Sequence, residues 1–285
     1  MNYRHAYHAG NFADVIKHAV LCRVLMHLRE KPGAFRVIDT HAGAGIYELG
    51  GPEAGKTQEW RDGIERLTRA ELAPSVRALL APYLDAVAAF NPDGRLALYP
   101  GSPALAAELL RPQDRLIACE LEPQSARALA SSLRGNARAK AIAIDGWTAL
   151  TAYVPPKERR GVVLVDPPFE QPGEFVRLAQ GLAAAHRKWP TGTYLLWYPI
   201  KDEAETTAFT RKLARLDIPK LLRIELELAP AGPETGLRGS GLIVVNPPWT
   251  LHDELKRLLP ALTGVLSRRA KSSVRLDWLS GESGS

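Results

Sequence analysis

From about residue 96 onward, short β-rich runs alternate with stretches of helical period. RLIACEL (115–121), AIAIDG (141–146), GVVLVDPPF (161–169) and TYLLWYPI (193–200) are each followed by a helical segment. Repeated strand–helix units pack stably as a mostly parallel, doubly wound sheet with helices on both faces. FRVIDT (35–40) supplies an earlier strand. KLLRIELEL (220–228) and SGLIVVNPPW (240–249) come late, joined by a Gly/Pro-rich turn with no helix between them. They are expected to pair as an antiparallel hairpin at one edge. The reading is an α/β fold: a seven-stranded, mostly parallel sheet with an antiparallel edge hairpin. A last helix follows, and GESGS reads as a frayed end.

Ahead of the first strand, Asn11 can cap a helix running to about Glu30, with Asp14 at its third position and Ile16, Val20 and Val24 spaced at i+4. Residues 52–90 are helical in pattern without strand signals, split near Pro74. They read as an inserted helical subdomain, which divides the chain into 1–51, 52–92 and 93–285, the outer two parts forming one domain. LALYPGSP (96–103) leads back into the strand–helix series.

With 46% hydrophobic and 24% charged residues, the chain is neither disordered nor fibrous. Cys22 and Cys119 are its two cysteines, too few for a disulfide framework or a four-thiolate metal site, and they fit a reducing compartment. No apolar run approaches the ~20 residues of a membrane span, and the first residues show no signal-peptide pattern. A soluble, cytoplasmic protein is expected. The net charge of +6 is weakly basic. Arg4, Lys17, Arg23, Arg29 and Lys31 form one basic cluster, and Arg268, Arg269, Lys271 and Arg275 another. On charge alone, two solvated faces outweigh a nucleic-acid footprint.

Ligands of doubly wound sheets bind at the carboxyl ends of the parallel strands. There the loop HAGAG (41–45) offers Gly43 and Gly45, which let backbone approach a ligand, and a helix start is expected behind it. Glu120 ends the next parallel strand, where a carboxylate can accept both hydroxyl protons of a ribose. It lies far beyond the ~20 residues usual after the glycines, which the insertion would explain. Asp145 and Gly146 end another strand, placed for an adenine amino group and ring nitrogen. Ser102-Pro103 reads as an N-cap followed by proline at the first helical position; its hydroxyl and free N–H groups could also bind a carboxylate. His5, His8, His18, His27 and His41 cluster early, but no metal-ligand spacing accompanies them, and no metal is expected.

Asp166-Pro167-Pro168-Phe169 follows a buried strand. Two prolines hold the backbone extended and aim the Asp166 carboxylate and the Pro167 carbonyl at one point, while Phe169 offers a stacking face. Two acceptors so placed can bind both protons of an exocyclic amino group. DPP[YF] after a strand, downstream of a glycine loop, is the signature of methyltransferases that modify amino nitrogens with S-adenosylmethionine. Asn246-Pro247-Pro248-Trp249 carries a similar motif, but its strand is read as antiparallel. Its end therefore falls on the far side of the sheet, and it is read as structural.

YRHAYHAGNFADVIKH, DTHAGAGIYELG, YPGSP, DGW, DPPF, LWYP and SGLIVVNPPW, in this order, make the whole chain resemble the RlmJ family. The resemblance implies a Rossmann-like class I methyltransferase that modifies N6 of one adenine (adenine 2030) of bacterial 23S rRNA. The cofactor would be S-adenosylmethionine, released as S-adenosylhomocysteine, without a metal. It further implies cofactor contacts at His18, His41, Ser102, Glu120, Asp145 and Gly146, and a catalytic Asp166. Tyr3, His5, Lys17 and Phe169 would face the substrate. Phe169 stands where relatives often carry Tyr, and both rings stack. The substrate would be 23S rRNA, free or in an early assembly intermediate, and the enzyme a monomer away from membranes. Two rival readings share these residues: a DNA adenine-N6 methyltransferase, and a non-catalytic RNA-binding protein that keeps the fold. Residues 1–10 lack apolar periodicity and read as a loosely held end emerging beside the active site.

Overall fold

The computed structural model describes residues 5–228, 237–267 and 272–281. Helix α1 (Phe12–Arg29) opens the chain, with the Asn11 side chain accepting the N–H groups of Ala13 and Asp14. Strands β1 (Arg36–Asp39) and β2 (Ile46–Glu48) precede the helical segment α2 (Pro52–Thr57), α3 (Ile64–Arg69) and α4 (Pro74–Ala89). The chain returns through β3 (Leu98–Pro100) and α5 (Ser102–Leu109). Strand–helix units follow: β4 (Arg115–Glu120) and α6 (Pro123–Ser132), β5 (Ala139–Ala143) and α7 (Gly146–Ala152), β6 (Gly161–Val165) and α8 (Glu174–Lys188), β7 (Thr193–Ile200) and α9 (Glu203–Ala214). The hairpin strands β8 (Leu221–Glu227) and β9 (Gly239–Val245), then α10 (Leu251–Leu266) and β10 (Ser273–Ser280), complete the described chain.

The main sheet has eight strands in the order β10-β8-β9-β7-β6-β1-β4-β5. Neighbours from β7 to β5 are parallel, whereas β9 runs antiparallel to both β7 and β8. The parallel series and the antiparallel hairpin agree with the sequence reading, but the strand count does not. β10 pairs antiparallel with β8 and takes the edge, where the sequence suggested nothing beyond a final helix. Alternation sorts the core: Val162 and Leu164 of β6 pack in the layer with α1, α4, α5 and α10, while Val163 and Val165 meet α8 and α9.

The glycine loop also departs from the expected strand–helix order. No helix follows it; β2 does, pairing with β3 across the whole helical segment. The Gly101 N–H donates to the Gly45 carbonyl at 2.8 Å, so the chain resumes where it left off. Helix α5 then makes the crossover from β1 to β4 that the sequence placed directly after the loop. The intervening helices bury Ile64, Leu67, Leu80 and Tyr83 in the same core as Ile16 of α1 and Leu105 of α5.

The N-terminal segment is held more firmly than its sequence suggests. His5–Tyr7 form a 3₁₀ turn, Ala9 is buried, and the Ile64 N–H donates to the Gly10 carbonyl at 2.9 Å. Gly63 permits this approach, since a Cβ there would lie 2.0 Å from the Gly10 oxygen. Two members of the early basic cluster, Lys17 and Arg23, do not stand free on a solvated face either. Lys17 is buried, and Arg23 forms a bidentate pair with Glu254 of α10 at 2.8 Å.

Candidate active site

A cavity of about 660 Å³ opens at the carboxyl ends of β1, β4, β5, β6 and β7. It is walled by every described residue that the family resemblance assigns to the site: His5, Lys17, His18, His41, Ser102, Glu120, Asp145, Gly146, Asp166 and Phe169; Gly43 lines it too, whereas Gly45 does not. Tyr3 lies outside the described residues.

On one side the glycine loop curls under the cavity. Gly43 has φ +61°, and a Cβ there would fall 2.1 Å from the Tyr47 hydroxyl, so glycine is required. The Gly43 N–H donates to Oε2 of Glu120 at 2.9 Å, while Leu121 and Glu122 N–H groups hold Oε1 at 2.9 and 2.8 Å. The carboxylate is thus fixed by three backbone donors and keeps spare acceptor capacity toward the cavity. Asp145 caps α7 by accepting the Thr148 N–H at 2.8 Å. Gly146 packs on the His41 ring, where a Cβ would sit 2.6 Å from Nε2. Thr40 gives its hydroxyl proton to the Leu164 carbonyl at 2.9 Å, so Nδ1 of His41 donates to Oγ1 of Thr40 at 2.8 Å. That assignment leaves Nε2 of His41 as an acceptor. Burial lowers the His41 pKa to about 4, which keeps the ring neutral.

Gly101, not Ser102, is the N-cap of α5; Ser102 is its first helical residue, and Pro103 its second. The Ser102 hydroxyl is free of capping because it donates to Oδ2 of Asp39 at 2.6 Å. His18 stacks on Tyr99 and shares a 2.7 Å hydrogen bond with its hydroxyl. Burial brings the His18 pKa down to about 3.

Across the cavity, Asp166 follows β6 and its Oδ2 receives the Lys17 ammonium. Lys17 also contacts Oδ1 of Asp14 at 2.8 Å, and His5 donates from Nε2 to Oδ2 of Asp14 at 3.0 Å. Burial opposes the Lys17 charge, but Asp14 and Asp166 together hold its pKa well above the usual lysine value. Phe169 packs against Phe175 and, edge-on at 5.8 Å, against Trp197. Trp197 and Lys201 from the end of β7, and Trp147 and Arg177 beside Asp145, also line the cavity. Sequence reasoning passed over these and over Asp14, Asp39 and Tyr47, although Asp39 stands in FRVIDT at the expected strand end. Among the described residues, no group of three or more His, Cys, Asp or Glu could hold a metal ion.

The sheet order, the glycine loop under its carboxyl ends and the DPPF turn define a Rossmann-like α/β fold of the S-adenosylmethionine-dependent methyltransferases. Comparison with known proteins narrows this class. The profile of the family described as "Ribosomal RNA large subunit methyltransferase D, RlmJ" matches residues 32–280, and the chain belongs to the RlmJ family. It is 38% identical over 279 residues to ribosomal RNA large subunit methyltransferase J of Escherichia coli, covering 98% of this chain and 99% of that protein. The Haemophilus influenzae protein of the same name is 37% identical over 283 residues, covering 99% of this chain and 100% of the relative. A crystal structure of protein LPL1258 from Legionella pneumophila superposes with a TM-score of 0.87 at 36% identity, covering 95% and 98% of the two chains.

Proposed function

We propose that the protein transfers a methyl group from S-adenosylmethionine to N6 of a specific adenine of bacterial 23S rRNA, the family's adenine 2030. The observation that carries this is the DPPF turn, which places Asp166 beside Phe169 on the wall of the glycine-loop cavity. The cofactor fits the opposite side by the chemistry of its donors. Glu120 would accept the ribose hydroxyl protons, and Asp145, Gly146 and His41 would meet the adenine moiety. Ser102 and His18 would take the methionine end.

When bound, S-adenosylmethionine supplies an electrophilic methyl group on a good sulfonium leaving group. The chain supplies orientation. The amino lone pair of adenine is conjugated into its ring and is a poor nucleophile. Asp166 and the Pro167 carbonyl would accept the two N6 protons, favouring a pyramidal nitrogen whose lone pair points into the cavity. Phe169 would stack on the base, with Tyr3, His5 and Lys17 on the substrate side. The proton that becomes acidic on alkylation would leave through Asp166 or water. The adenine must be unpaired or flipped, which costs less in free or partly assembled rRNA than in a mature ribosome. The enzyme would act in the cytoplasm as a monomer.

The test is methylation of naked 23S rRNA against duplex DNA with labelled S-adenosylmethionine, read as N6-methyladenosine by mass spectrometry. Incorporation into RNA supports the proposal. Incorporation into DNA alone makes the protein a DNA adenine methyltransferase, and cofactor binding without transfer to either makes it a binding protein.

A further inference from the structure

Asp14 carries no role in the reading above beyond its place in the first turn of α1. In the structure it sits at the crossing of two sets of contacts and is 1% exposed. Its Oδ2 accepts Nε2–H of His5 at 3.0 Å and the Gly10 N–H at 2.9 Å, both from the N-terminal segment. Its Oδ1 faces Nζ of Lys17 at 2.8 Å, and the same ammonium continues to Oδ2 of Asp166. Lys17 is itself 3% exposed and lies 5.8 Å from the centre of the Trp197 ring.

We propose that Asp14 is a positioning residue that couples the seating of the N-terminal segment to the catalytic carboxylate, acting through Lys17. The inference rests on the reading of Asp166 as acceptor of the N6 protons. One buried carboxylate, Asp14, and one half-buried carboxylate, Asp166, share one ammonium. Without Asp14, the Lys17 charge would be drawn wholly onto Asp166 and compete with the incoming amino group for both of its oxygens. With Asp14 on its other side, the ammonium stays on Oδ2, and among the described residues Oδ1 of Asp166 has no hydrogen bond. Because the other oxygen of Asp14 is held by His5 and Gly10, the carboxylate takes this orientation when the segment is in place.

The remaining titratable groups around Asp14 and Lys17 come from every packed element. His8 and Glu59 lie on the N-terminal side, His18 on α1, and Asp39 at the end of β1. Tyr47, Tyr83 and Tyr99 close the other side, and burial keeps their phenols protonated.

The experiment is Asp14→Asn in the full-length protein, since Asn can still accept from Gly10 and His5 but brings no charge. S-adenosylmethionine affinity by calorimetry is expected to stay within about twofold, while kcat falls about tenfold or more with little change in KM for rRNA. The defect should also shrink as pH rises, because Lys17 loses one of its two carboxylate partners, its pKa falls, and the neutral amine no longer competes for Asp166. In a Lys17→Met background, Asp14→Asn should cost nothing further, as a residue acting through Lys17 must. Wild-type kcat, or a loss that adds to that of Lys17→Met, overturns the proposal. Should Asp14→Asn fail to fold, Asp14→Glu keeps the charge but displaces it; lowered kcat at unchanged cofactor affinity supports the coupling, and unchanged kcat refutes it. Asp166→Ala separates the two readings. If it retains turnover, the role of Asp166 fails; if it is inactive while Asp14→Asn is not, the coupling alone fails.

Discussion

Each end of the central sheet buries a carboxylate, and the two are in opposite condition. At the amino end, Asp114 is fully buried and accepts backbone N–H groups of Phe35 and Arg111 at 3.1 and 2.9 Å. The Arg111 guanidinium adds bonds at 2.8 and 3.0 Å. Burial pushes its pKa up, but the Arg111 side chain and the backbone donors overcome this and hold it below the usual carboxylate value. At the carboxyl end, Asp39 is bonded by Ser102 at Oδ2, and its Oδ1 has no hydrogen-bond partner among the described residues. Burial prevails there and raises the Asp39 pKa to about 7.

The two Pro-Pro turns repeat the contrast. Asn246 ends the antiparallel β9 at the amino end and spends its amide on the carbonyls of Pro190 and Gly192, both at 2.8 Å. Asp166 at the carboxyl end keeps an oxygen open over a cavity. Asp114 and Asn246 spend their polar atoms on the fold, whereas Asp39 and Asp166 each keep an oxygen without a hydrogen bond among the described residues, at the end where the cavity opens.

The largest expected effect breaks the pair of turns apart. Asp166→Ala should lower the rate of methyl transfer by about 10²-fold or more while leaving S-adenosylmethionine affinity intact. Asn246→Ala should leave turnover unchanged and instead cost about 1–3 kcal/mol of stability, from two lost bonds and an alanine forced to φ near +49°. Single-turnover kinetics and chemical denaturation on both variants decide the matter. Near-normal turnover in Asp166→Ala, or a kinetic defect in folded Asn246→Ala, would erase the distinction.

The buried carboxylates give an effect of opposite sign at the two ends. Asp114→Asn removes acceptors from Arg111 and two backbone donors, and should destabilise by about 1.5–3 kcal/mol at neutral pH. Because the folded pKa of Asp114 is depressed, its contribution is present above the unfolded value and fades as pH falls through the folded one. Asp39 runs the other way. Its folded pKa is raised, so the native state binds more protons than the unfolded chain between about pH 4 and 7, and stability drops as pH rises through that window. Asp39→Asn keeps an acceptor for Ser102 without a charge, and should stabilise the protein by about 1–3 kcal/mol at pH 8 but not at pH 4. Thermal melts across that range would sink the contrast if both variants moved stability in the same direction.

The parallel strands were legible because buried strands and amphipathic helices differ in period. Strand direction followed from connection length, which is why NPPW could be set aside. β10 is hard to see although Val274, Leu276 and Trp278 alternate with Arg275 and Asp277, since its residues are exposed or half-buried on an edge and follow a strong helix. Strands β2 and β3, three residues each, are too short to show a period, so the sequence alone does not reveal that a strand rather than a helix follows the glycine loop. Glu120 and Asp166 were readable as strand ends. Asp14 looked like an ordinary first-turn acid, because its partners lie in the N-terminal segment and, through Lys17, beyond β6. Such a role is written in tertiary contacts rather than in local pattern. Of the second basic cluster, Arg275 pairs with Glu225 at 3.2 Å, while Arg268, Arg269 and Lys271 lie outside the described residues.

The smallest expected effect tests whether the amino end is inert toward substrate. Trp249 closes the NPPW turn 83% exposed, whereas Phe169 of DPPF is packed between Phe175 and Trp197. An indole standing in solvent contributes little to folding, so Trp249→Ala should change stability by less than about 0.5 kcal/mol. If the turn serves the fold alone, KM for rRNA, kcat and cofactor affinity should all match the parent. Yet a bare tryptophan is also the kind of surface on which an unpaired base stacks, worth about 1–3 kcal/mol per base. A rise in KM for 23S rRNA of tenfold or so, at unchanged kcat and unchanged S-adenosylmethionine affinity, would make the amino end a second contact with the RNA. Parent-like kinetics would confine recognition to the carboxyl end, where the open acceptors are.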